Sequence, residues 1–370
     1  MRVPDVSRRW LAAAVVVSAT LVLSAPFIGQ IRTAIRDAAG PQFAPLMAVI
    51  VGGLVIGAIS VAFSRIRERR ARRYSAIALA LLVGVGYALL ARTGNPEVDA
   101  VERFHFIEYG LITFLFYQAW RGTGDTAVLV LPVLAGIIVG TCEEWLQWFI
   151  PVRVGEARDV LLNLIAIACG LLFSIGLDPP SAFARTLSPR SRRRILTLGA
   201  ATIVVFAAFF HSVHLGHEIK DAEAGVFRSR YSDAELAAVT EDRARSWAVS
   251  PPLTWSRLSR EDQYLSEGVS HVQRRNETWA EGNIMASRHE NLILEKYYAP
   301  VLDTPSYISA TGHRWPPEQR ADAESRIGPG FMIYVSDALP SPIFIWPKWV
   351  FWSVVGLIVL VMLRAAPTRA

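Results

Sequence analysis

Residues 126–149 read T-A-V-L-V-L-P-V-L-A-G-I-I-V-G-T-C-E-E-W-L-Q-W-F. Nothing from Ala127 to Cys142 is charged, and then Glu143 and Glu144 arrive together near the far end. A hydrocarbon core about 30 Å thick is crossed by roughly 20 residues of helix, so this stretch is long enough to span one. Lipid offers no hydrogen bonds to a bare backbone, and a single apolar segment satisfies itself only as a helix. Ionisable groups at such depth are expensive, and they persist where they pair, line a cavity or work. The stretch therefore indicates a membrane fold and marks a place to look for function.

Working outward, eight apolar stretches have spanning character: roughly 10–29, 43–64, 74–93, 103–120, 126–149, 159–177, 195–214 and 344–363. Together with a composition 52% hydrophobic over 370 residues, they predict an all-α, polytopic helical membrane bundle. A mainly helical extracytoplasmic domain is expected between the last two spans. The first stretch is read as a retained helix, since no clear small-residue cleavage site follows it. The expected divisions are an amino-terminal two-helix region (1–73), a central membrane domain (74–178) and a basic loop with the seventh span (179–214). The outer domain (215–343) and a last helix with its tail (344–370) follow.

Arginine placement sets the expected orientation. Arg2, Arg8 and Arg9 open the chain, and six arginines lie between Arg65 and Arg73. Arg185, Arg190 and Arg192–Arg194 form another group, and Arg364 and Arg369 close the chain. All four groups share one side if every stretch spans, which predicts a multi-pass cell-membrane protein with both termini cytoplasmic. The segment from Gly216 to Pro342 carries −5, leaving +11 for the remainder, mostly beside helix ends. Such charge suits an anionic bilayer surface, and no nucleic-acid motif accompanies it. Cys142 and Cys169 both lie in apolar stretches without metal-ligand spacing and read as packing residues.

Three polar clusters interrupt the central stretches: E-R-F-H-F-I-E-Y (102–109), T-C-E-E-W-L-Q (141–147) and R-V-G-E-A-R-D-V-L-L-N (153–163). At 100° per residue, Glu102, His105, Glu108 and Tyr109 fall within about a third of the fourth expected helix. Thr141, Glu144 and Gln147 form a row on the fifth, with Glu143 pointing elsewhere. Asp159 and Asn163 share a face of the sixth, followed there by the small residues Ala166 and Gly170, which suit close helix approach. Chain direction places all three clusters in the same outer layer of the membrane, with Arg153 in the connection above. That convergence predicts one outward-facing polar cavity. Architectural roles suit some of the same residues, Asp159 as a helix cap and Arg153 as a headgroup anchor.

H-F-I-E-Y-G, E-W-L-Q, P-V-R and R-D-V-L-L-N together resemble the VanZ-like membrane family. His105, Glu144, Gln147, Arg153, Asp159 and Asn163 match its spaced pattern, and the resemblance covers about residues 74–178. It implies an integral membrane protein of the cell envelope, with a link to glycopeptide antibiotic response, and it leaves the reaction open. Expected catalytic groups are Glu144, His105 and Asp159, since a carboxylate and an imidazole can exchange protons. Glu108, Tyr109, Gln147, Arg153 and Asn163 are the expected ligand-binding residues, Arg153 attracting an anion. Expected partners are the bilayer, a lipid-linked envelope precursor or glycopeptide, and a protein recruited by the outer domain. No cofactor is expected.

In the outer segment, H-S-V-H-L-G-H-E puts His211, His214 and Glu218 on one face if helical, a possible metal spacing weakened by Gly216. An amphipathic helix is expected from Ser259 to Trp279, with Tyr264, Leu265, Val269, Val272, Asn276 and Trp279 along one side. Gly282-Asn283 should turn the chain into a second helix, Ile284–Tyr298, carrying Leu292, Leu294 and Tyr297. The Pro-rich stretches Asp303–Pro317 and Leu339–Pro347 read as ordered connections. Two other function classes stay open. A proton-coupled transporter fits membrane carboxylates, although no inverted repeat is visible. A scaffold fits the outer helical pair.

Overall fold

A computed structural model describes residues 6–91, 94–150, 155–180, 182–250, 262–326 and 334–367. Arg153 and the expected helix start at Ser259 lie outside the described residues. The chain begins with α1 (Arg8–Ala39), α2 (Phe43–Arg65), α3 (Arg70–Leu90), α4 (Pro96–Glu102) and α5 (Phe104–Trp120). Next come α6 (Ala127–Gln147), α7 (Ala157–Leu177) and α8 (Pro189–His214). A hairpin of β1 (His217–Asp221) and β2 (Gly225–Ser229) leads to α9 (Asp233–Trp247), α10 (Gln263–Ala280) and α11 (Ile284–Tyr297). Short helices α12 (Ala299–Leu302) and α13 (Pro317–Ser325) precede α14 (Lys348–Ala365). The fold is all-α with this one small hairpin among the described residues.

Each expected apolar stretch coincides with a helix. Among the described residues, six helical runs are long and apolar enough to cross a membrane: Arg8–Arg65, Arg70–Leu90, Ala127–Gln147, Ala157–Leu177, Pro189–His214 and Lys348–Ala365. The first run combines α1 and α2, which are joined by a 3-10 turn at Gly40–Gln42. The fourth expected stretch is preceded by a lapse at Arg103, so Glu102 closes α4 and His105 lies on α5, two helices where the helical-wheel reading took one. The remaining α5 is 17 residues long.

Two compact units emerge, one from Met1–Leu146, Glu156–Phe209 and Ser353–Ala370, the other from Gln147–Gly155 and Phe210–Trp352. The first is organised around α7. Its partner α5 comes so close that a Cβ placed on Gly170 would meet Gly110 Cα at 2.8 Å. Small residues allow this backbone approach, and packing replaces the hydrophobic drive that lipid removes. At the other end of α7, Arg73 Nε donates to Gly176 O at 2.8 Å and Arg73 Nη2 donates to Leu177 O. A cation there satisfies carbonyls left open at the helix C-terminus and complements its dipole. Ala14, Tyr109, Ile112, Phe116, Val139, Ala166 and Ile167 form the buried apolar centre of the unit.

The second unit is built on the pair α10 and α11. Gly282, at φ +78°, makes the expected turn, and the Asn283 side chain accepts from Ala286 N at 3.2 Å to cap α11. Tyr264, Leu265, Val269, Val272, Ile293, Leu294, Tyr298 and Val301 join Phe227 and Leu236 in one core. Three expectations change here. α10 is buried on all sides from Gln263 to Val272, because the β-hairpin and α12 enclose it as well as α11, while Asn276 is exposed. α9 was not anticipated, although S-D-A-E carries a capping box: Ser232 Oγ accepts from Glu235 N, and the Glu235 carboxylate accepts from Ser232 N. Finally, α8 stops at His214 and Glu218 lies in a strand, so His211, His214 and Glu218 do not share a helical face.

Candidate functional site

Three helices of the first unit bring the expected polar residues together. α5 supplies His105, Glu108 and Tyr109; α6 supplies Thr141, Glu143 and Glu144; α7 supplies Asn163. Tyr109, Glu144 and Asn163 are only 0%, 1% and 1% exposed. The Tyr109 hydroxyl donates to Glu143 Oε2, and Asn163 Nδ2 donates to Glu144 Oε1 at 3.5 Å, the long limit of a hydrogen bond. His105 stacks on Tyr109 with centroids 6.1 Å apart, and its Nδ1 lies 3.9 Å from Glu108 Oε2.

Glycine makes this meeting possible. A Cβ on Gly140 would touch Asn163 at 3.2 Å and the Tyr109 hydroxyl at 3.3 Å. The bare backbone of α6 therefore lets α5 and α7 deliver their polar ends beside Glu143 and Glu144. Both carboxylates, together with Glu108, lie within electrostatic reach of Tyr109. Thr141 Oγ1 and Asn163 Oδ1 are buried without a hydrogen-bond partner among the described residues. Unspent hydrogen-bonding capacity of this kind is rare in a settled interior.

The remaining expected residues occupy different positions. Gln147 is buried at the last position of α6, one turn beyond Glu143. Asp159 lies one turn before Asn163 and is half-buried. Asp159 faces Glu102: burial, and then this neighbouring carboxylate, push the Glu102 carboxyl above its ordinary range. Tyr87, Asp99, Glu102, Arg103, Phe106 and Leu162 line a cleft beside the cluster.

Glu143 is the residue missed in the sequence. The helical wheel turned it away from the Glu144–Gln147 row, yet it is buried and bound by Tyr109. A second helix packs on that side, and a single helix projection cannot show which two faces of α6 are covered. A simple signal was available, because two adjacent carboxylates in a spanning helix cannot both face lipid cheaply.

The second unit holds buried polar groups that were also missed. Glu267 receives Ser229 Oγ at 2.5 Å, Arg230 Nε at 3.0 Å and the Tyr298 hydroxyl at 2.9 Å. Glu290 receives the Ser336 hydroxyl at 2.6 Å and lies 2.6 Å from His271 Nδ1. The Arg230 guanidinium also lies 4.8 Å from the centre of the Trp148 ring, while Gln263 Nε2 donates to Trp148 O at 3.1 Å. These groups tie the hairpin, α10, α11 and Trp148 together. His211 Nδ1 accepts from Trp352 Nε1 at 3.0 Å, and His214 Nδ1 contacts Pro342 O at 2.8 Å. Those contacts use the imidazoles for tertiary packing. No protein-family model, curated protein or solved structure matches the chain.

Proposed function

We propose that this chain is a multi-pass cell-envelope protein whose buried polar cluster binds a polar or lipid-linked envelope molecule at the outer face of the membrane. The observation that carries the reading is the junction of α5, α6 and α7, where Tyr109, Glu143, Glu144 and Asn163 meet and two polar atoms keep unspent capacity. In this reading all eight apolar helices span, both termini are cytoplasmic and residues 215–343 are extracytoplasmic. The arginine groups support that orientation. The VanZ-like motif residues His105, Glu144, Gln147, Asp159 and Asn163 support an envelope role, with glycopeptide response as its physiological setting. The cleft beside Glu102 is the proposed access route for a ligand headgroup, and its Phe106 and Leu162 suit an attached apolar chain. Glu144 and His105 are the proposed proton-exchanging pair.

The test combines topology with loss of function. Reporter fusions after Arg73 and near Trp279 should report opposite sides. A deletion strain should show altered envelope lipids or cell-wall precursors, restored by the wild-type chain and not by Glu144→Gln. Restoration by Glu144→Gln would remove the cluster from the function and favour a scaffold acting through the outer helices.

A further inference from the structure

We propose that Arg275, His313 and Trp315 of the second unit form a binding site for an oxyanion group, a carboxylate or a phosphate. Arg275 projects from α10 and is 2% exposed. Its guanidinium is held only by neutral acceptors: Nη1 donates to Asn291 Oδ1 at 3.1 Å, Nη2 to His313 O at 2.8 Å and Nε to Asn276 Oδ1 at 3.2 Å. No described carboxylate forms an ion pair with it. The carboxylate that reaches it electrostatically, Glu295, is committed to Arg320 at 2.9 Å and to Asn291 Nδ2 at 3.0 Å. Burial accordingly lowers the guanidinium pKa to about 10, with only Glu295 opposing. A buried charge without a counter-charge is costly, and it persists where function or a ligand compensates it.

Two further polar side chains lie in the same place. His313 and Trp315 are 5% and 7% exposed, and His313 Nε2 and Trp315 Nε1 have no hydrogen-bond partner among the described residues. The Trp315 ring centre is 5.8 Å from the Arg275 guanidinium carbon, and that charge also acts on the His313 ring. The loop is held to this shape. Gly312 adopts φ +100°, a Cβ there would strike Leu302 O at 2.7 Å, and His313 N donates to that same carbonyl at 2.7 Å. An indole can only donate, a guanidinium can only donate, and an imidazole nitrogen can donate. Donors gathered around a buried cation call for an acceptor that carries negative charge, and oxyanions match a guanidinium fork best. A cation or metal would meet repulsion here. Asn276, Arg314 and Pro316, the sequence neighbours of these residues, are exposed, so the cluster lies close to the surface.

Titration calorimetry of the purified full chain in detergent tests the site, using sodium phosphate and sodium acetate against sodium chloride at matched ionic strength. Saturable heat with phosphate or acetate is expected, and the anion that binds distinguishes a phosphate-bearing ligand from a carboxylate. Trp315→Phe removes one donor while keeping an aromatic ring, and should weaken binding by about tenfold. Arg275→Gln should abolish it. Should Arg275→Gln fail to fold, Trp315→Phe decides alone. Absence of saturable binding to either anion overturns the proposal, as does wild-type affinity in Trp315→Phe, which would put the anion elsewhere.

Discussion

Replacing Gly170 by alanine should destabilise the first unit, whereas the same change at its neighbour Gly110 should not. The added Cβ at position 170 would lie 2.8 Å from Gly110 Cα, 3.1 Å from Gly110 O and 3.1 Å from Thr113 Cβ. Two of these obstacles are backbone atoms, which cannot rotate away. Carbon atoms at best contact are about 3.5–4.0 Å apart, so α5 and α7 must separate by roughly 0.7 Å or more. Overpacking of this kind costs about 1–3 kcal/mol. A Cβ on Gly110 meets nothing within 4 Å. Alanine gains up to about 1 kcal/mol of helix propensity at either position, and this gain cancels when the two variants are compared. At about 2–4 °C for each kcal/mol, Gly170→Ala should melt roughly 2–12 °C below Gly110→Ala in detergent. Size-exclusion profiles after heating provide the assay. Equal melting of the two variants would refute the close-approach argument, and with it the placement of Asn163, which α7 carries two turns away.

Other perturbations probe separate parts of the molecule. Tyr109→Phe removes the hydroxyl donated to buried Glu143 and should cost about 1–3 kcal/mol, read as a lower melting temperature; an unchanged value would mean that Glu143 does not depend on that bond. Arg73→Gln takes a charged donor from Gly176 O and Leu177 O and should cost about 1–2 kcal/mol, a loss measurable by thermal melting and absent if the arginine merely faces headgroups. Asp221 gives a pH prediction. Burial alone would raise its carboxyl, but hydrogen bonds from Ala224 N–H, Lys296, Glu223 N–H and Tyr297 hold it well below the usual range. A depressed carboxylate contributes stability above its unfolded pKa of about 3.9 and loses it as pH falls through the lower folded value. Asp221→Asn should therefore be less stable than wild type at pH 7, with the gap closing below about pH 4; a constant gap across that range would assign the effect to packing instead.

Some of these features were present in the chain as local information. The apolar stretches are long, and membrane-spanning length is a property of each segment alone, so the helices could be placed without tertiary knowledge. The turn at Gly282-Asn283 was legible for the same reason, since a glycine at φ +78° followed by a capping side chain acts within a few residues. Tyr109, Glu144 and Asn163 could be put on inward faces because helical spacing orders residues around one axis. Such spacing does not say how many faces are covered. Glu143 is buried because two helices flank α6, and α10 is enclosed because the β-hairpin and α12 close over the side that periodicity left open. Glu102 and His105 fall on two helices because the helix lapses at Arg103, a change that apolar spacing does not register. The short strands His217–Asp221 and Gly225–Ser229 become stable only when paired with each other and packed on a core. Composition and period thus determined which segments are helical and roughly which way they face. Only the tertiary structure decided which charged groups lose water together, because desolvation depends on neighbours distant in the chain.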